Sequence, residues 1–193
     1  MKIATAKNKH IATEILTSAF INHTDENSIN HIVKQDSKRK DRTQLLMEYL
    51  VEQSYMFGEI FISDNNQACL LLSYSEKEKI SLKSVFLDIK LAVKCIGIFN
   101  VHKVLKRQAI TKKYYPKEKH IKPVILGVKH QSKGKGIAPR LMVEVRNHFK
   151  GNTLPVVIDT TADKNVKMYE KFKFRVVNTE IIDGVPVKFM RLN

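Results

Sequence analysis

The string VILGVKHQSKGKGIAPRLMVEV, residues 124–145, constrains this chain more than any other stretch. An apolar run passes into Lys133-Gly134-Lys135-Gly136-Ile137-Ala138. Then Ile137, Leu141, Val145 and Phe149 recur at helical spacing. This predicts a strand over 120–129, a tight glycine turn, and a helix over 136–150. Glycine lets the backbone turn sharply and approach a ligand closely. The free N–H groups at a helix start carry partial positive charge and suit a phosphate. Lys133 and Lys135 add full charges there. The plainer reading is a strand-to-helix turn with no ligand.

Two familiar phosphate loops do not fit. A P-loop with its Gly-Lys at Gly134-Lys135 needs a glycine at position 129 and Ser or Thr at 136; the residues are Lys129 and Gly136. A dinucleotide GxGxxG starting at Gly134 needs glycine at 139, which is Pro139.

The rest of the chain reads as mixed α and β. Residues 2–6 suit a short strand and 8–21 a helix with Ile11, Ile15, Leu16 and Ala19 on one face. A polar stretch, His23 to Asn30, overlaps the start of a helical region, 28–57, in two pieces. Its apolar face carries Leu45, Leu46, Tyr49 and Leu50, and Gly58 is its stop. EIFISD (59–64) and ACLLLSYS (68–75) form a hairpin across NNQ. Residues 81–115 are mostly helical, amphipathic and basic, ending before Pro116. PVVIDTT (155–161) is a buried strand, and Asp163 is a candidate cap for a helix over about 164–172. Residues 174–182 and 185–192 flank Asp183-Gly184, a two-residue hairpin signal. No linker divides the 193 residues, so one domain is expected.

The net charge of +15 directs attention to anionic partners. The lysines are spread along the chain, so a solvated basic surface accounts for them equally well. The basic helix around Lys103, Lys106, Arg107, Lys112 and Lys113 carries no nucleic-acid motif, and a nucleic-acid partner is not expected. Cys69 and Cys95 sit in apolar runs outside any metal pattern and read as buried thiols. The histidines show no ligand spacing, so no metal is expected. The longest apolar stretch, Val85 to Val101, is interrupted by Asp88, Lys90 and Lys94 and falls short of a span. No membrane partner is expected, and the location expected is a reducing cytoplasm.

A second string follows the next strand: Asn165-Val166-Lys167-Met168-Tyr169-Glu170-Lys171-Phe172-Lys173-Phe174. With it, residues 118–193 resemble the GNAT superfamily of N-acetyltransferases. The family pairs a strand, Arg/Gln-x-x-Gly-x-Gly/Ala and a helix with a later N…YEKxGF pattern. His120 to Val128 also resembles a GNAT-subgroup strand reading HxxLxxLxV. Three departures stand out: Lys133 replaces Arg or Gln, Lys173 replaces the glycine of YEKxGF, and Ala162 stands where many members have Asn. A lysine at 133 still meets a phosphate, as a point charge. Lys173 must turn the chain with a residue poorly suited to positive φ.

The resemblance implies an α/β mixed sheet of about six or seven mostly antiparallel strands flanked by helices. Residues 1–117 would form an acceptor-side half and 118–193 the cofactor half. It implies that acetyl-CoA lies where the fourth and fifth strands splay. Backbone groups of Leu126, Gly127 and Val128 would bind the pantetheine and polarise the thioester. The backbone of Lys133, Gly134, Lys135, Gly136, Ile137 and Ala138 would hold the pyrophosphate. Tyr169 is then the candidate general acid and Asn165 a pantetheine contact. His120 is the candidate base, with Glu118 and Asp159 behind it. Each has a plainer role: core aromatic, local cap, strand-end histidine. The acceptor would be an amine on a small molecule or a protein, walled in part by residues 81–115. A homodimer is compatible with the sequence and not required by it. The competing reading is a non-catalytic module of the same fold that takes an anionic partner such as RNA on its basic surface.

Overall fold

The period-2 runs become strands and the 3.6-spaced runs helices, in a computed structural model that describes residues 1–22, 28–182 and 184–192. In chain order the elements are β1 (Lys2–Ile3), α1 (His10–Phe20), α2 (Ser28–Ile32), α3 (Arg39–Phe57), β2 (Gly58–Ile62), β3 (Ala68–Tyr74), α4 (Leu82–Leu91), α5 (Val101–Tyr114), β4 (Ile121–Val128), α6 (Ile137–His148), β5 (Val156–Thr160), α7 (Asp163–Lys171), β6 (Arg175–Ile182) and β7 (Val185–Leu192). Most of the polar stretch expected from His23, and Asp183 of the last hairpin, lie outside the described residues. The described part of that hairpin fits a two-residue turn: Ile182 faces Val185, and Gly184 has φ +80°.

The strands form one mixed sheet of seven, in the order β1-β2-β3-β4-β5-β7-β6. β4 and β5 are the parallel pair, and every other neighbour is antiparallel. β3 is buried along its whole length, so its continuous apolar run is covered on both faces. Alternation along β2 and β3 divides the core. Ile60, Ile62, Cys69 and Leu71 meet α1 and α3; Phe61, Ala68, Leu70 and Leu72 meet α6. A third cluster joins α7 to β5 and β7 through Val166, Ile158 and Met190. α1 buries Ala12, Ile15, Leu16 and Ala19, and fully burying Ile15 or Leu16 contributes about 2 kcal/mol each.

Several local expectations are corrected. The deepest face of α3 is Leu46, Met47, Val51 and Phe57. The expected Leu45, Tyr49 and Leu50 lie to one side, half-buried, because Tyr49 turns toward α4 and donates its hydroxyl to Asp88 (2.7 Å). Gly58 opens β2 immediately after α3. Glycine is needed there because a Cβ would lie 1.9 Å from the Leu72 carbonyl oxygen. The helical region 81–115 is two helices joined by a π-helical turn (Ala92–Ile96), Gly97 at φ +81°, and a short 3-10 turn (Ile98–Asn100). Asp163 does not cap α7. It is the first helical residue, and its carboxylate pairs with Lys188 (2.5 Å).

Candidate functional site

At its centre the sheet is incomplete. β4 pairs with β3 throughout but shares one pair with β5, Ile121 with Val156, where the Ile121 amide donates to the Pro155 carbonyl (2.9 Å). Leu71 faces Ile125 and Leu72 faces Pro123, so Val124 is an extra residue that bends β4. A cleft of about 2320 Å³ runs past this gap. It exceeds the several hundred Å³ typical of one small ligand. Its wall includes Val85, His102 and Arg107, so the helical region 81–115 borders it.

The ladder sorts the backbone groups of β4. The Lys129 amide donates to the Gln67 carbonyl on the β3 side (2.8 Å). In an antiparallel ladder alternate residues face alternate neighbours. Gly127, opposite Cys69, therefore gives its backbone to β3, while Leu126 and Val128 turn theirs toward β5, beyond the single shared pair. This corrects the expectation for Gly127. Its smallness serves packing instead: a Cβ there would lie 2.6 Å from Leu16 Cδ2 of α1.

The glycine loop opens at one end of the cleft. A short 3-10 turn (His130–Ser132) leads into it and is anchored twice. The Ser132 hydroxyl donates to Gln67 Oε1 (2.8 Å), and the His130 amide to Ser18 Oγ (3.2 Å). Gly134 (φ +77°) and Gly136 (φ +70°) take the left-handed region that glycine tolerates best. Among the described residues none accepts a hydrogen bond from the amides of Gly134 to Ala138. Pro139 falls in the first turn of α6, where an amide has no helical partner to lose. Lys133 and Lys135 are exposed beside these amides.

On the far side of the gap, side chains from four segments meet. Tyr115 follows α5, Asp159 is on β5, Lys122 on β4, and His120 just precedes β4. The Tyr115 hydroxyl donates to Asp159, and Lys122 lies 3.9 Å from the same carboxylate. Burial, then the Asp159 charge, pushes the Tyr115 phenol far up. His120 packs edge-on against Tyr115, ring centres 5.8 Å apart. Its Nδ1 is 2.8 Å from the Glu118 carbonyl, which can only accept; Nδ1 is therefore the donor, and in a neutral ring Nε2 keeps the free lone pair. Glu118 itself is paired with Arg191 (2.7 Å).

Tyr169 approaches from α7, its ring tilted on Phe174. Burial, then the Asp159 charge, pushes its phenol up to about 12. Asn165, one turn earlier, donates to Thr160 Oγ1 (3.3 Å) and does not cap α7, the plainer role expected of it. Of the expected site residues, Tyr169, Asn165, His120, Leu126, Gly127, Val128, Lys133, Gly134, Gly136, Ile137 and Ala138 all line the one cleft. Lys135 stands beside it. Tyr115 and Lys122 were not found by sequence reasoning, because nothing in their local pattern marks them.

Neither thiol is set up as a nucleophile. Cys69 is buried and donates to the Ala12 carbonyl, and burial raises its pKa. Burial pushes Cys95 up to about 11, against a small opposing effect of Arg42.

No protein-family model and no curated protein sequence matches the chain. Solved structures do. A structure titled histone acetyltransferase HPA2 and related acetyltransferase, from Corynebacterium glutamicum, aligns over 98% of this chain and 93% of its own, at 14% identity and TM-score 0.67. Arylalkylamine N-acetyltransferase 2 from Aedes aegypti aligns over 99% and 96%, at 15% identity and TM-score 0.62. The polyamine N-acetyltransferase of Drosophila melanogaster aligns over 98% and 97%, at 13% identity and TM-score 0.53. At such identities the likeness carries the fold: this chain has the GNAT acetyltransferase fold.

Proposed function

We propose that this chain is an N-acetyltransferase that moves an acetyl group from acetyl-CoA directly to an amine in a ternary complex. One observation carries the reading. A strand with cleft-facing, partnerless backbone groups at Leu126 and Val128 leads to a loop whose amides, 134 to 138, are also unpartnered. An extended amide chain ending in a pyrophosphate matches both parts. The amine acceptors named for the solved structures of this fold agree with it.

When bound, acetyl-CoA supplies an acetyl thioester. The Leu126 and Val128 amides are the donors for its carbonyl oxygen and pantetheine, and the 134–138 amides with Lys133 and Lys135 take its phosphates. The amine nitrogen forms the new bond to carbon as the carbon–sulfur bond breaks. His120 Nε2 first takes one proton from the ammonium, directly or through water, and passes it to solvent. As the new bond forms, Tyr169 gives its phenolic proton to sulfur and regains one from the acylated nitrogen through water. The Asp159 carboxylate, framed by Tyr115 and Lys122, attracts the acceptor's positive charge before the proton leaves. With no activated cysteine at hand, direct transfer needs no acyl-enzyme. Buried free thiols suit a reducing cytoplasm.

Calorimetric titration with acetyl-CoA tests the first step. Heat and a raised Tm are expected; neither at millimolar ligand would defeat the reading. Tyr169→Phe should lower kcat by about a hundredfold while leaving acetyl-CoA affinity intact. An unchanged rate removes Tyr169 from the chemistry. With its phenol pushed up to about 12, Tyr169 stays protonated at neutral pH and above. No fall in kcat from this group is expected between about pH 8 and 10.

A further inference from the structure

We propose that α4 and the turns after it dock on an anionic lipid surface. The observation is an apolar stripe that the fold leaves uncovered. Leu82, Val85, Phe86, Ile89 and Val93 recur at i, i+3, i+4, i+7 and i+11, one face of a helix, and all are exposed. At 1.5 Å per residue the stripe is about 16 Å long. Ile80 precedes it, and Ile98 and Phe99 extend it past Gly97. Exposure of 94% at Leu82, 66% at Phe86, 68% at Ile98 and 92% at Phe99 is far beyond scattered surface apolar residues.

The stripe is held rigidly. The opposite side of the segment buries Ser84, Leu91, Cys95 and Ile96. Ser81 and Ser84 form a reciprocal cap at its start. The Arg42 guanidinium, clamped on Asp36 by two hydrogen bonds (3.0 and 2.9 Å), donates to the Lys94 carbonyl. The Lys34 amide donates to the Cys95 carbonyl (3.1 Å).

Charge selects the occupant. Residues 79–117 hold ten Lys or Arg and one acid, Asp88, which is already engaged by Tyr49. Lys83 and Lys90 are paired with Glu52 and Glu48 of α3, and the other cations still leave the segment strongly basic. A second copy of the chain laid face to face would oppose these two positive surfaces. A polynucleotide would meet the lysines and could stack a base on a phenylalanine, but it leaves the leucine, valine and isoleucine of the stripe uncovered. An anionic bilayer accepts both, with apolar side chains at the acyl boundary and lysines on the headgroups. Sequence reasoning set membranes aside because no stretch is long enough to span one. Indeed, among the described residues no helix is long and apolar enough to cross. Lying on a membrane has no such length requirement. The inference does not rest on the acetyltransferase reading.

The test is sedimentation of the full chain with vesicles, without acetyl-CoA. Vesicles of phosphatidylcholine alone are compared with vesicles containing about 30% phosphatidylserine. Binding to the anionic vesicles only is expected, weakened by salt. The Leu82→Ser, Phe99→Ser double variant, at two fully exposed positions, should weaken it at least about tenfold with Tm unchanged. Lys94→Gln with Lys103→Gln should weaken it too. The proposal is overturned by equal sedimentation with both vesicles or with neither. It is also overturned if the double variant binds as wild type, or if the stripe proves to hold a concentration-dependent dimer that the double variant dissolves. Polynucleotide binding that ignores Leu82 and Phe99, without vesicle binding, would likewise overturn it.

Discussion

Lys173 occupies a conformation made for glycine, with φ +73°. In the left-handed region a side chain costs roughly 1–2 kcal/mol. Lys173→Gly should therefore stabilise the fold by about 1 kcal/mol, less the added unfolded-state freedom, raising Tm by about 2–4 °C. Thermal denaturation decides it, and a lower Tm would mean that Lys173 makes a compensating contact. This position was legible in the sequence because a pattern of residues around it expects glycine. Gly127 was legible only as a motif member, and for the wrong reason. A methyl at 127 meets the buried side chain of Leu16, so Gly127→Ala should destabilise by about 1–3 kcal/mol in urea unfolding. Tyr115 and Lys122 were not legible at all. Each meets Asp159 only after α5, β4 and β5 have been folded together, and no spacing along the chain encodes that meeting.

Single elements were well read where the apolar period was long and clean: α1, α6, β3, and the last two strands. The coarser reading was 81–115, given as mostly helical, amphipathic and basic, without the break that the π-helical turn, Gly97 and the 3-10 turn make in it. Its ties to the body are apolar at Leu91, Cys95 and Ile96 and, beyond these, polar contacts with distant helices. Glu52 of α3 receives Lys83 (2.8 Å) of α4 and Lys9 just before α1. Burial pushes the Glu52 carboxyl up, but the hydrogen bonds from Lys83 and Lys9 outweigh it and hold it below its ordinary 4.5. A depressed carboxylate stabilises the fold above its ordinary value, and that gain fades as pH falls through the lowered one. Glu52→Gln should thus cost about 0.5–1 kcal/mol at neutral pH, since the pair is partly exposed. The gap between variant and wild type should close in urea titrations well below pH 4.5. A gap independent of pH would assign the loss to packing.

Across the whole molecule, the mixed α/β fold and the order of elements were legible, whereas the long-range joining of elements was not. Residues 118–193 carried the resemblance to the GNAT fold through two motifs. The cleft wall around Tyr115, Lys122 and Asp159 is built from α5, β4 and β5, by long-range contacts that local patterns do not record. Charge was legible as a total and misleading as a map. The +15 reads as a diffuse basic surface, yet between residues 79 and 117 it surrounds exposed leucine and phenylalanine. Raising salt should leave acetyl-CoA binding only moderately weaker, because amides carry much of the proposed phosphate contact. It should abolish vesicle association, which rests on many exposed lysines.

The single pair between Ile121 and Val156 has a thermodynamic consequence. Two partial sheets, β1 to β4 and β5 to β7, are joined through the backbone ladder at one rung, with Lys122 and Tyr115 reaching Asp159 across the gap, so the ladder itself couples them weakly. The ligand proposed for the gap would stand in for the absent rungs and couple the two banks more tightly. Amide exchange should then slow on both banks of the gap, at Leu126 and Val128 and also at β5 residues that the ligand never touches. Calorimetric unfolding should sharpen as well as shift, a change in cooperativity that ordinary mass action at a rigid pocket does not produce.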